Sequence, residues 1–99
     1  MKAMQVMSAL SQQTRLDVYT RLVASLPEGM AAGELATATK TAPTAMSPHL
    51  AILSRAGLVK STKVGRSIIY RAVTQPLDGL VEFLSTIHAL SGSNSTTEL

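Results

Sequence analysis

One stretch limits what this chain can become: Pro43 to Gly57, PTAMSPHLAILSRAG. Met46, Leu50, Leu53 and Ala56 recur at i, i+4, i+7 and i+10, which lines one side of an α-helix. The opposite side carries Thr44, Ser47, Pro48, Ala51 and Arg55. A helix that needed only solubility would carry Glu and Lys there. Low bulk, hydroxyls and no negative charge suit a helix that lies in a groove. Gly57 sits where a helix end favours a left-handed C′ residue, so the stop is well marked. Pro48 falls inside this helix and removes one backbone hydrogen bond. Because Met46, Leu50 and Leu53 stay in phase across it, the spacing predicts a continuous helix with a mild distortion.

The surrounding charge points the same way. Leu35 to Leu77 contains no Asp or Glu but six of the nine basic residues: Lys40, Arg55, Lys60, Lys63, Arg66 and Arg71. That block is +6 and the rest of the chain is −3. Such a block repels itself unless a polyanion offsets it. The chain has 99 residues, 45% of them hydrophobic, which suits one folded domain and excludes a disordered chain. A core of this size is marginal, so a second subunit is a natural source of further burial. With no Trp, and only Tyr19, Tyr70 and Phe83 aromatic, stacking platforms for single strands are not expected. The absence of Cys excludes disulfides, zinc–thiolate sites and thiol chemistry within the chain. No segment reads as a signal peptide or a membrane span, so a cytoplasmic location is expected.

Read in order, Met1 to Leu10 is a helix with Ala3, Met7 and Leu10 on one face and Met4 nearby. Thr14 and Asp17 have the spacing of a capping box for a second helix, which runs to about Ser25 and buries Leu16, Tyr19, Leu22, Val23 and Leu26. Pro27-Glu28-Gly29 ends it. Met30-Ala31 is read as a very short strand. Gly33 to Thr39 is a short helix with Leu35 and Ala36 inward. Lys40-Thr41-Ala42 then turns into the stretch above, which makes a helix-turn-helix. Leu58–Val64 and Ser67–Val73 are β-rich runs separated by Gly65-Arg66, a hairpin signal whose tip carries Lys63 and Arg66. Leu77 to Ser91 is the last helix, apolar over more than one narrow stripe, as expected of a helix packed on its own domain and on another subunit. Residues 1–91 are expected to form the domain, and 92–99 a disordered polar tail.

The expected fold is therefore mainly α with a small β-hairpin: a winged helix-turn-helix of about five helices and a two-stranded wing. Such a fold grips duplex DNA at two places, with one helix in the major groove and the wing on flanking backbone or minor groove. The candidate DNA-binding residues are Lys40, Thr44, Ala45, Ser47, Pro48, His49, Arg55, Lys63 and Arg66. His49 lies on the flank of the helix, where a DNA contact and a backbone bond are both open to it.

The runs LSQQTRLDVYTRL, GELA, SPHLAILSRAGLV and GRSIIYRAV, spanning Leu10 to Val73, resemble the ArsR/SmtB family of bacterial winged-helix repressors. The resemblance implies a homodimer built from the first and last helices, a palindromic double-stranded operator, and repression relieved by an effector whose chemistry is left open. The candidate dimer residues are Met4, Met7, Leu80, Leu84, Ile87 and His88. Family members that sense metals use Cys pairs, which this chain lacks, or Asp, Glu and His on the last helix. Here that helix has Asp78, Glu82 and His88. Asp78 and His88 are ten residues apart, about 15 Å, too far to chelate one ion within a subunit. No metal and no cofactor is expected. Catalysis is not expected either, since no nucleophile–base set, paired carboxylates or phosphate-binding glycine loop is present. The rival readings are a winged helix used for protein contacts and a zinc-responsive repressor with a site on the last helix.

Overall fold

A computed structural model describes residues 2–92 of the protein. Of the polar tail expected over 92–99, residues 93–99 lie outside the described residues. Among the described residues there are five helices and three strands. α1 is Lys2–Leu10, α2 Gln13–Ala24, β1 Met30–Ala31, α3 Ala32–Ala38, α4 Pro43–Arg55, β2 Val59–Val64, β3 Ser67–Ala72 and α5 Gln75–Leu90. The architecture is the expected winged helix-turn-helix. The short strand expected at Met30-Ala31 forms, and it joins the wing in a three-stranded antiparallel sheet in the order β1-β3-β2.

The faces of α1 and α2 differ from expectation. α1 buries Ala3, Val6 and Ala9, while Met7 and Leu10 are partly buried and Met4 is exposed. Small side chains on the buried line let α1 approach the core closely, and the longer methionines are displaced to its flank. The side-chain carbonyl of Gln12, not Thr14, caps α2 by accepting from the Arg15 amide at 2.8 Å. Asp17 instead pairs with Arg21 at 2.9 Å on the surface. Val18, Tyr19 and Leu22 are the buried line of α2, whereas Leu16 and Leu26 are exposed. Leu16 borders an open apolar groove with Leu10, Tyr19, Val23 and Leu77. Periodicity alone could not tell which of these adjacent lines meets the core.

β1 joins the sheet through a glycine. Met30 pairs with Tyr70 and Ala31 with Ile69. Gly29 has φ +79, and a Cβ there would lie 2.5 Å from the Tyr70 carbonyl oxygen. Only glycine combines that backbone angle with that approach. The Arg71 guanidinium donates to the Pro27 carbonyl at 2.9 Å and closes the same corner. Ala31 has no side chain to cap α3, but its amide donates to the Glu34 carboxylate at 2.8 Å.

The core gathers one line from each of α1 to α4, with Val6, Leu22, Leu35, Met46 and Leu53, and is closed by Leu58 at the root of the wing. The Tyr19 hydroxyl donates to the Val73 carbonyl at 2.9 Å, which fastens α2 to the exit of β3. Burial pushes the Tyr19 phenol pKa up. α5 packs chiefly against α1. Leu80, expected at an interface between subunits, is buried within the chain in the same core.

Candidate nucleic-acid interface

The turn between α3 and α4 has a specific backbone geometry. Lys40 adopts φ 54, and no other non-glycine described residue has a positive φ. Its amide donates to the Thr37 carbonyl at 3.2 Å, and the Thr41 amide donates to the Ala36 carbonyl at 2.9 Å. These are the two bonds of a Schellman motif, with Lys40 at the position that favours glycine. A lysine here bears strain of about 1 kcal/mol and projects an exposed cation at the entrance to α4.

α4 runs unbroken from Pro43 through Pro48 to Arg55. Met46, Leu50 and Leu53 are buried along it, as their spacing predicts. A second Schellman motif ends it: the Gly57 amide donates to the Ser54 carbonyl and the Leu58 amide to the Leu53 carbonyl, both at 3.0 Å. Gly57 takes φ +77, and the C3 and C″ residues Leu53 and Leu58 are both fully buried. Thr44, Ala45, Ser47, Pro48, Ala51 and Arg55 are exposed. Neither the first turn of α4 nor its outward face carries an acid. The N-cap residue Ala42 has no side-chain acceptor, and no acid in the first turn meets the positive end of the helix dipole.

His49 is half-buried, at the boundary its position implies. The bond to backbone that was open to it does not form, because its buried Nδ1 has no hydrogen-bond partner.

The wing begins at the buried pair Val59 and Ala72 and is exposed on β2 from Lys60 onward. Val64 pairs with Ser67, so Gly65-Arg66 is a two-residue turn, with Gly65 at φ +63. A left-handed first residue is what matches such a turn to the twist of its strands. From the buried pair to the tip is about 17 Å of strand. Alternation places Val59, Ser61 and Lys63 on one side of β2 and Lys60 on the other. Ser61 and Tyr70 line a shallow cleft with Ser47, Ala51 and Ser54 of α4, so the Lys63 side of the wing is the side facing that helix.

The structure thus divides the candidates. Lys40 lies at the start of α4, beside Thr44, Ala45, Ser47 and Pro48, and Lys63 and Arg66 stand on the adjoining wing. Arg55 is not brought to them. It lies about 16 Å along the helix axis from Thr44, its carbonyl accepts from Gln5 of α1 at 3.3 Å, and its side chain borders a groove with Gln5 and Ser8. Ser54, Ser61 and Tyr70 complete the cleft and were not singled out by sequence. The hairpin register supplied a signal for the last two, since it pairs Ser61 with Tyr70.

Among the described residues no group of three or more His, Cys, Asp or Glu side chains is placed to hold a metal ion. None of the described helices is long and apolar enough to cross a membrane.

Comparison with known proteins accounts for this geometry. Residues 10–62 match the helix-turn-helix domain family. The chain is 28% identical over 87 residues to the transcriptional activator HlyU of Vibrio cholerae, covering 88% of this chain and 78% of that protein. An ArsR-like transcriptional regulator from Rhodococcus sp. RHA1 superposes with a TM-score of 0.79 at 33% identity, covering 97% of this chain and 88% of that one. The structure of NolR from Sinorhizobium fredii gives a TM-score of 0.70 at 29% identity, covering 87% and 83%. The matched residues contain α2, α3, the turn, α4 and the first four residues of β2. The chain therefore belongs to the ArsR-type winged helix-turn-helix transcriptional regulators, a family of DNA-binding proteins and not of enzymes.

Proposed function

We propose that the chain is a homodimeric repressor that binds a palindromic operator and is released by an effector. Two copies pair through α1 and α5, and their α4 helices enter successive major grooves. Lys40, Lys63 and Arg66 pair with phosphates. Thr44, Ala45, Ser47 and Pro48 face the base edges, with His49 at their flank. Arg55, at the far end of α4, is outside this set. The interface is formed by Met4, Met7, Leu84, Ile87 and His88, and Leu80 supports it from within the core.

The observation that carries this reading is the outer face of α5. Val81, Leu84, Ile87 and Leu90 are 61, 45, 49 and 83% exposed, with Met4 of α1 also open at 54%. Large aliphatic side chains along one helix are costly in water, and a second copy of the same helix covers them with like chemistry. A two-fold dimer also explains two reading heads at a fixed spacing.

Sedimentation and duplex binding over a salt series test both halves. The expected result is a dimer whose log affinity falls linearly with log salt. A monomer at micromolar concentration, or affinity indifferent to salt, contradicts the reading. A reporter transcribed from the bound promoter gives the sign of regulation. Repression lowers its output when the protein is present, whereas increased output matches the activity in the name of the HlyU relative.

A further inference from the structure

We infer that the outward face of α4 reads thymine, through van der Waals contact with its 5-methyl group, and not through hydrogen bonds to purines. The inference rests on the operator-binding reading and concerns what that helix selects. The exposed side chains of α4 before Arg55 include no Arg, Lys, Asn, Gln, Asp or Glu. The pairings that single out guanine or adenine by two parallel hydrogen bonds are therefore unavailable on this face. Beside the hydroxyls of Thr44, Ser47 and Ser54, which do not single out one base, it offers the γ-methyl of Thr44, the ring of Pro48 and the methyl of Ala51. These lie at i, i+4 and i+7, one above the next along the helix. Side chains this short bring the helix backbone close to the groove floor. The thymine methyl is the apolar group that the major-groove edges present to them.

Pro48 adds an independent observation. A proline inside a helix costs about 3 kcal/mol, and this one stands exposed in an unbroken helix. Its ring is an apolar surface facing out of the molecule. The methyl-bearing edge of thymine is the part of the major groove that such a ring fits.

The test uses the full chain and a duplex selected by the protein from a random pool. Each thymine of a half-site is replaced in turn by deoxyuridine, which differs only by the missing methyl. Affinity should fall about four-fold at each contacted position, the value of one buried methyl group. Thr44→Ser, which removes the side-chain methyl, should abolish the deoxyuridine effect at one position. Thr44→Val, which keeps that methyl and loses the hydroxyl, should preserve it. Pro48→Ala should reduce the effect at a neighbouring position. Tight binding that deoxyuridine leaves unchanged at every position overturns the inference while leaving operator binding intact. Deoxyuridine effects that are the same in wild type, Thr44→Ser and Pro48→Ala overturn it too, because the methyl contacts then lie elsewhere. If no duplex is enriched, the operator-binding reading falls first and this inference with it.

Discussion

The outward faces of α4 and α5 are both helical, both exposed in the single chain, and chemically opposite. α4 presents small side chains and hydroxyls, with Lys40 at its entrance and the cations of the wing beside it. α5 presents Val81, Leu84, Ile87 and Leu90, with no Lys or Arg along its length. Exposure alone does not say what a surface meets. Large aliphatic groups call for removal from water, which another copy of the same face supplies. Short side chains flanked by positive charge call for a concave polyanion. The inward faces of the two helices are by contrast alike, since Leu53 and Leu80 join one core.

The contrast can be probed one residue at a time. Leu53→Ala on the inward face of α4 should lower unfolding free energy by about 2–5 kcal/mol, measured by denaturant titration, with DNA binding lost only as far as folding is. A loss below 1 kcal/mol would place α4 outside the core. Ile87→Glu on the outer face of α5 should weaken self-association by about 2–3 kcal/mol and shift sedimentation toward monomer, with little change in the helical circular dichroism signal. An unchanged dimer would move the interface elsewhere.

Lys40→Gly should separate strain from charge. Relief of the left-handed backbone should raise stability by about 1 kcal/mol, seen as a higher Tm, while loss of the cation weakens binding to any duplex. A variant that loses stability would contradict the turn geometry. Arg66→Ala should act on binding alone. It should weaken all sequences alike and reduce the slope of log affinity against log salt by about 1. Affinity maintained at every salt concentration would detach the wing from the interface.

Much of this molecule is legible in its residues. The α4 stripe, its stop at Gly57 and the Gly65-Arg66 turn all express local rules, and each appears as written. The acid-free block is legible for a different reason, because charge excess does not depend on how the chain folds. The errors share a cause. In α1, Ala3–Val6–Ala9 and the expected Ala3–Met7–Leu10 both have helical spacing, and contact with the rest of the chain buried the former while leaving Met7 and Leu10 only partly covered. Leu80 and Leu84 are one turn apart on the same helix, yet α1 covers the first and leaves the second open.

Period, turn chemistry and charge were thus settled by the amino-acid order, because each depends on residues within a few positions of one another. Three things came from long-range packing. The sheet gained a third strand because Gly29 lets β1 reach Tyr70, forty residues on. The core took one of two available faces of α1. The cations of one uninterrupted basic block were spread over the entrance of α4, its far end, both sides of the wing and the β1 corner, where Arg71 bonds Pro27. Periodicity determines which residues share a face, but only a partner distant in sequence determines which face is covered.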